Sequence, residues 1–339
     1  MRKLPVYIVV DVSESMFGEA IDQINAALDK MIAALRRNPY ALETVWLSVI
    51  TFDSMARVVS PLTELADFKF PELRARPGTA LGTALDLLRS QIAKEVVLQT
   101  EETKGDWRPL VFLLTDGQPT DDWRPALARL RSQRPKPANI YAIGCGDEID
   151  FEALTEIADA TFYAKEASPE LLAKLFIWMS SAIQSASKNA SNLGLVKDDL
   201  TPPDGIQEIG DDYPPAPDFP RQLFFHATCS TTRKKYLMRL RYFDPLGMYV
   251  PAASYKVPDD FLDDGGYVPP TVSSDKIAGM PTCPHCENQD WACCGRCGAG
   301  FCFDAASSLR RGWSECPVCG ARMGFADGRD SFDMTPSAG

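Results

Sequence analysis

The sequence predicts an α/β protein: a doubly wound, mostly parallel sheet, followed by a small β segment and a cysteine-rich module. Three observations lead there. The runs Val6–Val10 and Leu110–Leu114 are apolar without alternation, as in strands covered on both faces. Segments of helical spacing separate such runs, with Ile21, Ile24, Leu28, Ile32 and Leu35 as the clearest case. Finally, eight of the ten cysteines fall between Cys283 and Cys319.

In order along the chain, the first strand run stops at Asp11. It is too short for a secretory signal and no small-residue cleavage site follows. Residues 18–37 read as a helix and Thr44 to Phe52 as a strand. A helix over 79–98 precedes the strand ending in Thr115-Asp116-Gly117. Then come a helix at 125–134, a strand at 139–143, a short helix at 151–158, a short strand at 161–163 and a long helix at 169–187. The Pro- and Asp-rich stretch that follows reads as linker. QLFFHAT, KKYLMRLRYF and MYVPAASYKV lack a helical period and suggest three antiparallel strands. The expected divisions are 1–190, a linker at 191–220, a β region at 221–280, a cysteine module at 281–326 and a disordered tail at 327–339.

Composition excludes several classes. No apolar run reaches the ~18–20 residues of a membrane span. A net charge of −11 argues against a duplex-binding protein, which carries a basic face. There are two histidines, His226 and His285, and no G-x-S-x-G or P-loop, so no catalytic constellation is legible. Cys145 reads as a buried structural thiol, and the acidic run Asp259, Asp260, Asp263, Asp264 as a solvated loop. Cys229 reads as structural too, within reach of the cysteine module.

Two constellations carry chemistry. In the first, Asp11-Val12-Ser13-Glu14-Ser15 places oxygen side chains at i, i+2 and i+4 in the loop leaving a buried strand. Ligands of α/β sheets bind beyond the strand carboxyl ends. Pro77-Gly78-Thr79 adds a hydroxyl and Thr115-Asp116-Gly117 a carboxylate. All are oxygen donors, and Asp11 and Asp116 repel one another without a cation, so magnesium or another hard divalent ion suits them.

In the second, Cys283-Pro-His-Cys286, Cys294-Gly-Arg-Cys297 and Cys316-Pro-Val-Cys319 are three Cys-x-x-Cys turns, with Cys293 and Cys302 beside them. Two thiolates from one tight turn supply half of a tetrahedral zinc site. Eight cysteines equal two such sites, but one or two ions remain open. Cys283 and Cys286 pair either with Cys316 and Cys319, or with Cys294 and Cys297. The second option leaves Cys302, Cys316, Cys319 and Cys293 for another ion. The concentration of thiols in one short segment favours zinc over disulfides.

In order and spacing, D-x-S-x-S, GTALGTAL and T-D-G resemble the metal-ion-dependent adhesion site of von Willebrand factor A domains, over roughly residues 4–185. The resemblance implies that Asp11 ligates directly or through water. It implies direct ligation by Ser13 and Ser15, with Thr79 and Asp116 completing the shell and one metal position left open for a partner's carboxylate. The whole layout, with CSTTRKKYLMRLRY and the cysteine tail, resembles TerY-type proteins of tellurite-resistance and stress or phage-response systems. That resemblance implies a cytoplasmic, non-enzymatic scaffold working with a Ser/Thr kinase and a PP2C-type phosphatase. The alternatives are nucleic-acid binding through the zinc ribbon, which its balance of four Arg and four acidic residues between Cys283 and Phe325 disfavours, and a ubiquitin-ligase-like enzyme.

Overall fold

The computed structural model describes residues 2–336 except 103, 136, 138, 147–148, 166–167, 189–200, 211–212, 214–218, 259–270, 305–307, 309 and 325–332. The acidic run Asp259, Asp260, Asp263, Asp264 and most of the expected linker and tail lie outside the described residues. The chain divides into two units, Met1–Ala216 and Pro217–Gly339.

In the first unit β1 (Leu4–Asp11) is followed by α1 (Glu19–Arg36), α2 (Pro39–Thr44), β2 (Val45–Phe52), β3 (Ala56–Glu64) and α3 (Leu81–Glu95). The chain continues through β4 (Leu110–Thr115), α4 (Arg124–Ser132), β5 (Asn139–Cys145), α5 (Phe151–Ile157), β6 (Ala160–Ala164), α6 (Pro169–Lys188) and β7 (Gln207–Ile209). The sheet order is β3-β2-β1-β4-β5-β6-β7. The five central strands are parallel and the two edges antiparallel. Every residue of β1 and β4 is buried, which is why both runs are apolar without alternation. Tyr7, Val9, Val111 and Leu113 share one core with α3, α4 and α5. Val6, Ile8 and Val10 are equally buried and, by the strand period, face the other side. The helix starts have local causes. Asn38 accepts from Ala41 N at 3.2 Å ahead of a Pro-initiated α2, and Asp150 accepts from Ala153 N at 3.0 Å ahead of α5.

The sequence does not announce either edge strand. β3 carries a proline, is mostly half-exposed and pairs irregularly, while β7 is three residues inside the Pro- and Asp-rich stretch. Among the described residues no helix is long and apolar enough to cross a membrane.

The second unit contains β8 (Gln222–Thr228), β9 (Lys235–Phe243), β10 (Met248–Lys256), β11 (Val272–Ser273), β12 (Asp290–Cys293), β13 (Gly300–Phe303), β14 (Trp313–Glu315), β15 (Arg322–Gly324) and β16 (Asp333–Met334). The three expected antiparallel strands are β8 to β10. They do not form a separate β region. β13 pairs in parallel with β8, so the sheet runs β10-β9-β8-β13-β12 and unites that region with the cysteine module. Composition predicts a structureless tail from Asp327; instead β16 pairs with β11 and Met334 is buried in the unit's core. A two-residue strand is too short to register as a period.

Candidate metal centres

Asp11 ends β1, and Asp116 follows the last residue of β4. These strands are neighbours at the point where the strand order reverses, the place where open α/β sheets bind ligands. The loop after β1 turns its oxygens toward that crevice. Asp11 Oδ1 accepts from Ser13 N at 2.9 Å, the hydroxyls of Ser13 and Ser15 lie 2.9 Å apart, and Ser15 Oγ donates to Asp116 Oδ1 at 2.7 Å. Asp11, Ser13 and Thr79 are all buried. A Cβ on Gly117 would lie 3.8 Å from Thr79 Oγ1, so the Thr79 hydroxyl borders the Asp116-Gly117 turn. Five oxygen side chains from three loops thus line one small region. That donor set suits a hard cation.

The electrostatics agree. Burial first, and the Asp116 carboxylate second, push the Asp11 carboxyl up to about 8, against the hydrogen bonds from Thr115 and Ser13. A buried carboxylate with a second carboxylate beside it needs a positive charge for both to stay ionised. Close by, burial and then Asp116 push the Cys145 thiol up to about 12, so it is an inert core group.

Further residues, absent from the sequence-based set, hold the site in place. Thr115 Oγ1 donates to Asp11 Oδ2 at 2.5 Å and fixes the carboxylate from behind. Thr120 makes a two-point clamp on Thr79: its Oγ1 accepts from Thr79 N at 3.2 Å and its N donates to Thr79 O at 2.9 Å. Asp121 caps α3, accepting from Gly82 N at 2.8 Å and Thr83 N at 3.0 Å. The repeated Thr-Asp pairs, Thr115-Asp116 and Thr120-Asp121, are the sequence signal for these roles. On the other side, Gly78 turns at φ +91°, and a Cβ there would meet the Ser54 backbone at 2.8 Å. Only glycine allows that approach just before Thr79.

In the second unit the structure gathers eight thiols into two quartets, Cys229–Cys283–Cys286–Cys302 and Cys294–Cys297–Cys316–Cys319, each with sulfurs within 4.8 Å of one another. This is neither of the pairings that the spacing suggests. Cys293 belongs to no quartet: its Sγ instead bonds to Gly298 O at 3.2 Å. Its place in the count is taken by Cys229. Cys293 is the last residue of β12, and alternation along the strand turns it away from its neighbour Cys294. All ten cysteines are free thiols. Sulfur separations of 3.5, 3.7 and 3.8 Å match the ~3.8 Å edge of a tetrahedron with metal–sulfur bonds near 2.3 Å.

One backbone device recurs four times. At Cys229, Cys283, Cys294 and Cys316, the cysteine N donates to the carbonyl five residues on, and its own carbonyl accepts from the N–H four residues on. That fourth residue is left-handed each time: Arg233, Glu287, Gly298 and Gly320, at φ 61°, 62°, 74° and 70°. Three of these knuckles read Cys-x-x-Cys. The first reads Cys229-Ser-Thr-Thr232, with threonine where the second thiolate stands elsewhere, and Cys302 from β13 completes its quartet. The missing second cysteine and the non-glycine turn hide this knuckle in the sequence. N–H donors reach the sulfurs, from Thr232 to Cys229 at 3.3 Å, Ser230 to Cys302 at 3.4 Å and Val318 to Cys316 at 3.4 Å. Such donors favour thiolate: the Cys297 and Arg296 amides hold Cys294 down to about 6. His285 lies in no quartet, and its Nε2 meets Lys235 O at 3.0 Å.

The family model of the von Willebrand factor type A domain matches residues 6–176. No curated protein matches the chain significantly. Among solved structures, a von Willebrand factor type A protein from Catenulispora acidiphila is 20% identical, covering 54% of this chain and 43% of its own, with a TM-score of 0.40. The ArnB paralog VWA2 from Sulfolobus acidocaldarius is 15% identical over 52% of this chain and 45% of its own, with a TM-score of 0.37. Proximal thread matrix protein 1 from the mussel byssus, with a zinc-occupied MIDAS motif, is 21% identical over 55% of this chain and 46% of its own, with a TM-score of 0.40. The chain thus spans less than half the length of each of these three proteins.

Proposed function

The chain belongs to the von Willebrand factor type A domain family, and from that premise we propose that it is a non-enzymatic adaptor that binds a protein partner through a divalent cation. Asp11, Ser13, Ser15, Thr79 and Asp116 hold the ion, and magnesium is the reading their oxygen set favours. When bound, the ion offers a Lewis-acidic position to an Asp or Glu of the partner. The residues of this chain fix the geometry: Thr115 orients Asp11, Ser15 bridges to Asp116, and Thr120 holds Thr79. The observation that carries the reading is the convergence of three loops on one crevice, with Asp11 raised to about 8 by burial beside Asp116. The two thiol quartets hold zinc and build the second unit as a rigid platform.

The finer reading follows the TerY-type layout: a cytoplasmic scaffold joining a Ser/Thr kinase and a PP2C-type phosphatase in a tellurite-resistance or stress pathway. Its support is the order of the parts, an A domain followed by a β and cysteine-rich unit. The test is capture of kinase and phosphatase from the native host by wild type and by Asp11→Ala, with Mg²⁺ present or omitted and zinc quantified throughout. The expected result is loss of capture in Asp11→Ala with zinc retained. Undiminished capture by that variant sinks the metal-dependent reading.

A further inference from the structure

We propose that the two quartets hold their ions with unequal tenacity: the Cys229–Cys283–Cys286–Cys302 site is a permanent staple, and the Cys294–Cys297–Cys316–Cys319 site is an exchange site open to solution. This deepens the zinc reading above and rests on it.

Three observations separate the sites. The first is burial. Cys229, Cys283 and Cys302 are buried and Cys286 is half-buried, whereas Cys297 and Cys319 are exposed. The second is the surrounding core. Cys229, Cys283 and Cys302 are packed into the main hydrophobic cluster of the unit, with Phe225, Tyr236 and Met238. Tyr236 is 1% exposed. The other quartet sits on a minor cluster in which Cys294 and Cys316 have Phe301 as the one other fully buried residue.

The third is connectivity. The inner ligands come from the β8–β9 turn, the knuckle before β12, and β13, so that ion ties together strands of the five-stranded sheet. Removing it opens the core. The outer ligands span only Cys294 to Cys319, and the second pair closes the isolated β14–β15 ribbon. Losing that ion frees a two-stranded hairpin that joins no larger sheet among the described residues. Local opening with few buried contacts costs far less than global unfolding. Ligand exchange at zinc needs an entering group to reach a ligand residue, and Cys297 and Cys319 are the exposed members of the two quartets. The outer site is therefore where a thiophilic metal or a chelating thiol from solution acts first.

The experiment uses the full zinc-loaded chain, with 4-(2-pyridylazo)resorcinol as the chelating probe and timed N-ethylmaleimide labelling read by peptide mass. Total zinc is measured after complete displacement. The expected result is two ions per chain, one leaving at least about 100-fold faster than the other, with Cys297 and Cys319 labelled in the fast phase. Cys319→Ser, which leaves the inner site intact, retains one ion and shows the slow phase alone. Release of both ions in one phase, with all eight thiols labelled together, overturns the inequality while leaving the two-zinc reading intact. Survival of the fast phase in Cys319→Ser overturns its assignment to the outer site. A total below two ions overturns the two-zinc reading and this inference with it.

Discussion

Thr115 shows how one hydroxyl governs a charged site. Its bond to Asp11 Oδ2 is inside the protein, and it touches the carboxylate on the side away from Ser13. A group that orients a ligand without binding the ion is worth roughly 10–100-fold in metal affinity. Thr115→Val is therefore expected to weaken Mn²⁺ binding about 10-fold, measured by paramagnetic titration, with Thr115→Ser recovering most of it. Asp11 sets the pH dependence. Its carboxyl stands at about 8 in the fold against 3.8 in the ordinary state. A group raised in this way contributes its stability below the lower value and loses it as pH rises through the higher one. Without a divalent cation, the melting temperature should thus fall between about pH 4 and pH 8, and Asp11→Asn should flatten that fall. Binding a cation expels the proton, so Mg²⁺ affinity should climb over the same window. Thermal melts with and without Mg²⁺ check both signs, and a gap that narrows toward high pH would contradict them.

At the level of elements, the start of α3 and the loop after β4 behave as one piece. Asp121 caps α3 from that loop, Thr120 clamps Thr79, and a Cβ on Gly82 would come within 2.9 Å of Asp122 O and Trp123 Cα. The crowding atoms are backbone, so an added methyl has to separate the two elements. Gly82→Ala should cost about 1–3 kcal/mol in denaturant unfolding, in line with overpacking elsewhere. Asp121→Ala should cost about 0.5–2 kcal/mol, the worth of a helix cap. Either change displaces Thr79 relative to Asp116, so cation affinity should drop in both variants even where the fold persists. Unchanged Mn²⁺ affinity in Gly82→Ala would show that the site does not depend on this packing.

For the whole molecule, the division into two units separates two kinds of stability. The first has a large apolar core built on its parallel sheet. The second is small, and its core contains Cys229, Cys283 and Cys302 as packing residues as well as thiols. A core that packs around metal-binding thiols draws part of its folding free energy from the metal. A zinc-selective chelator should therefore abolish the calorimetric transition of the second unit and leave that of the first in place. Loss of both transitions together would mean that the first unit does not stand on its own core.

Much of this was legible in the sequence, because it is encoded locally. Apolar runs and helical spacing name the strands and the helices, and the motifs around Asp11, Thr79 and Asp116 name the side chains that line one crevice, since each signal depends on neighbours a few residues apart. Cys-x-x-Cys turns announce thiol pairs for the same reason. Which pairs come together is a different kind of fact. It depends on β13 lying beside β8, a contact between residues some seventy positions apart, which brings Cys302 to Cys229. The same long-range pairing fuses the β region with the cysteine module, and a separate one, between β11 and β16, recruits the tail. Local chemistry chose the ligand types, and only the tertiary packing of distant strands decided which of them meet.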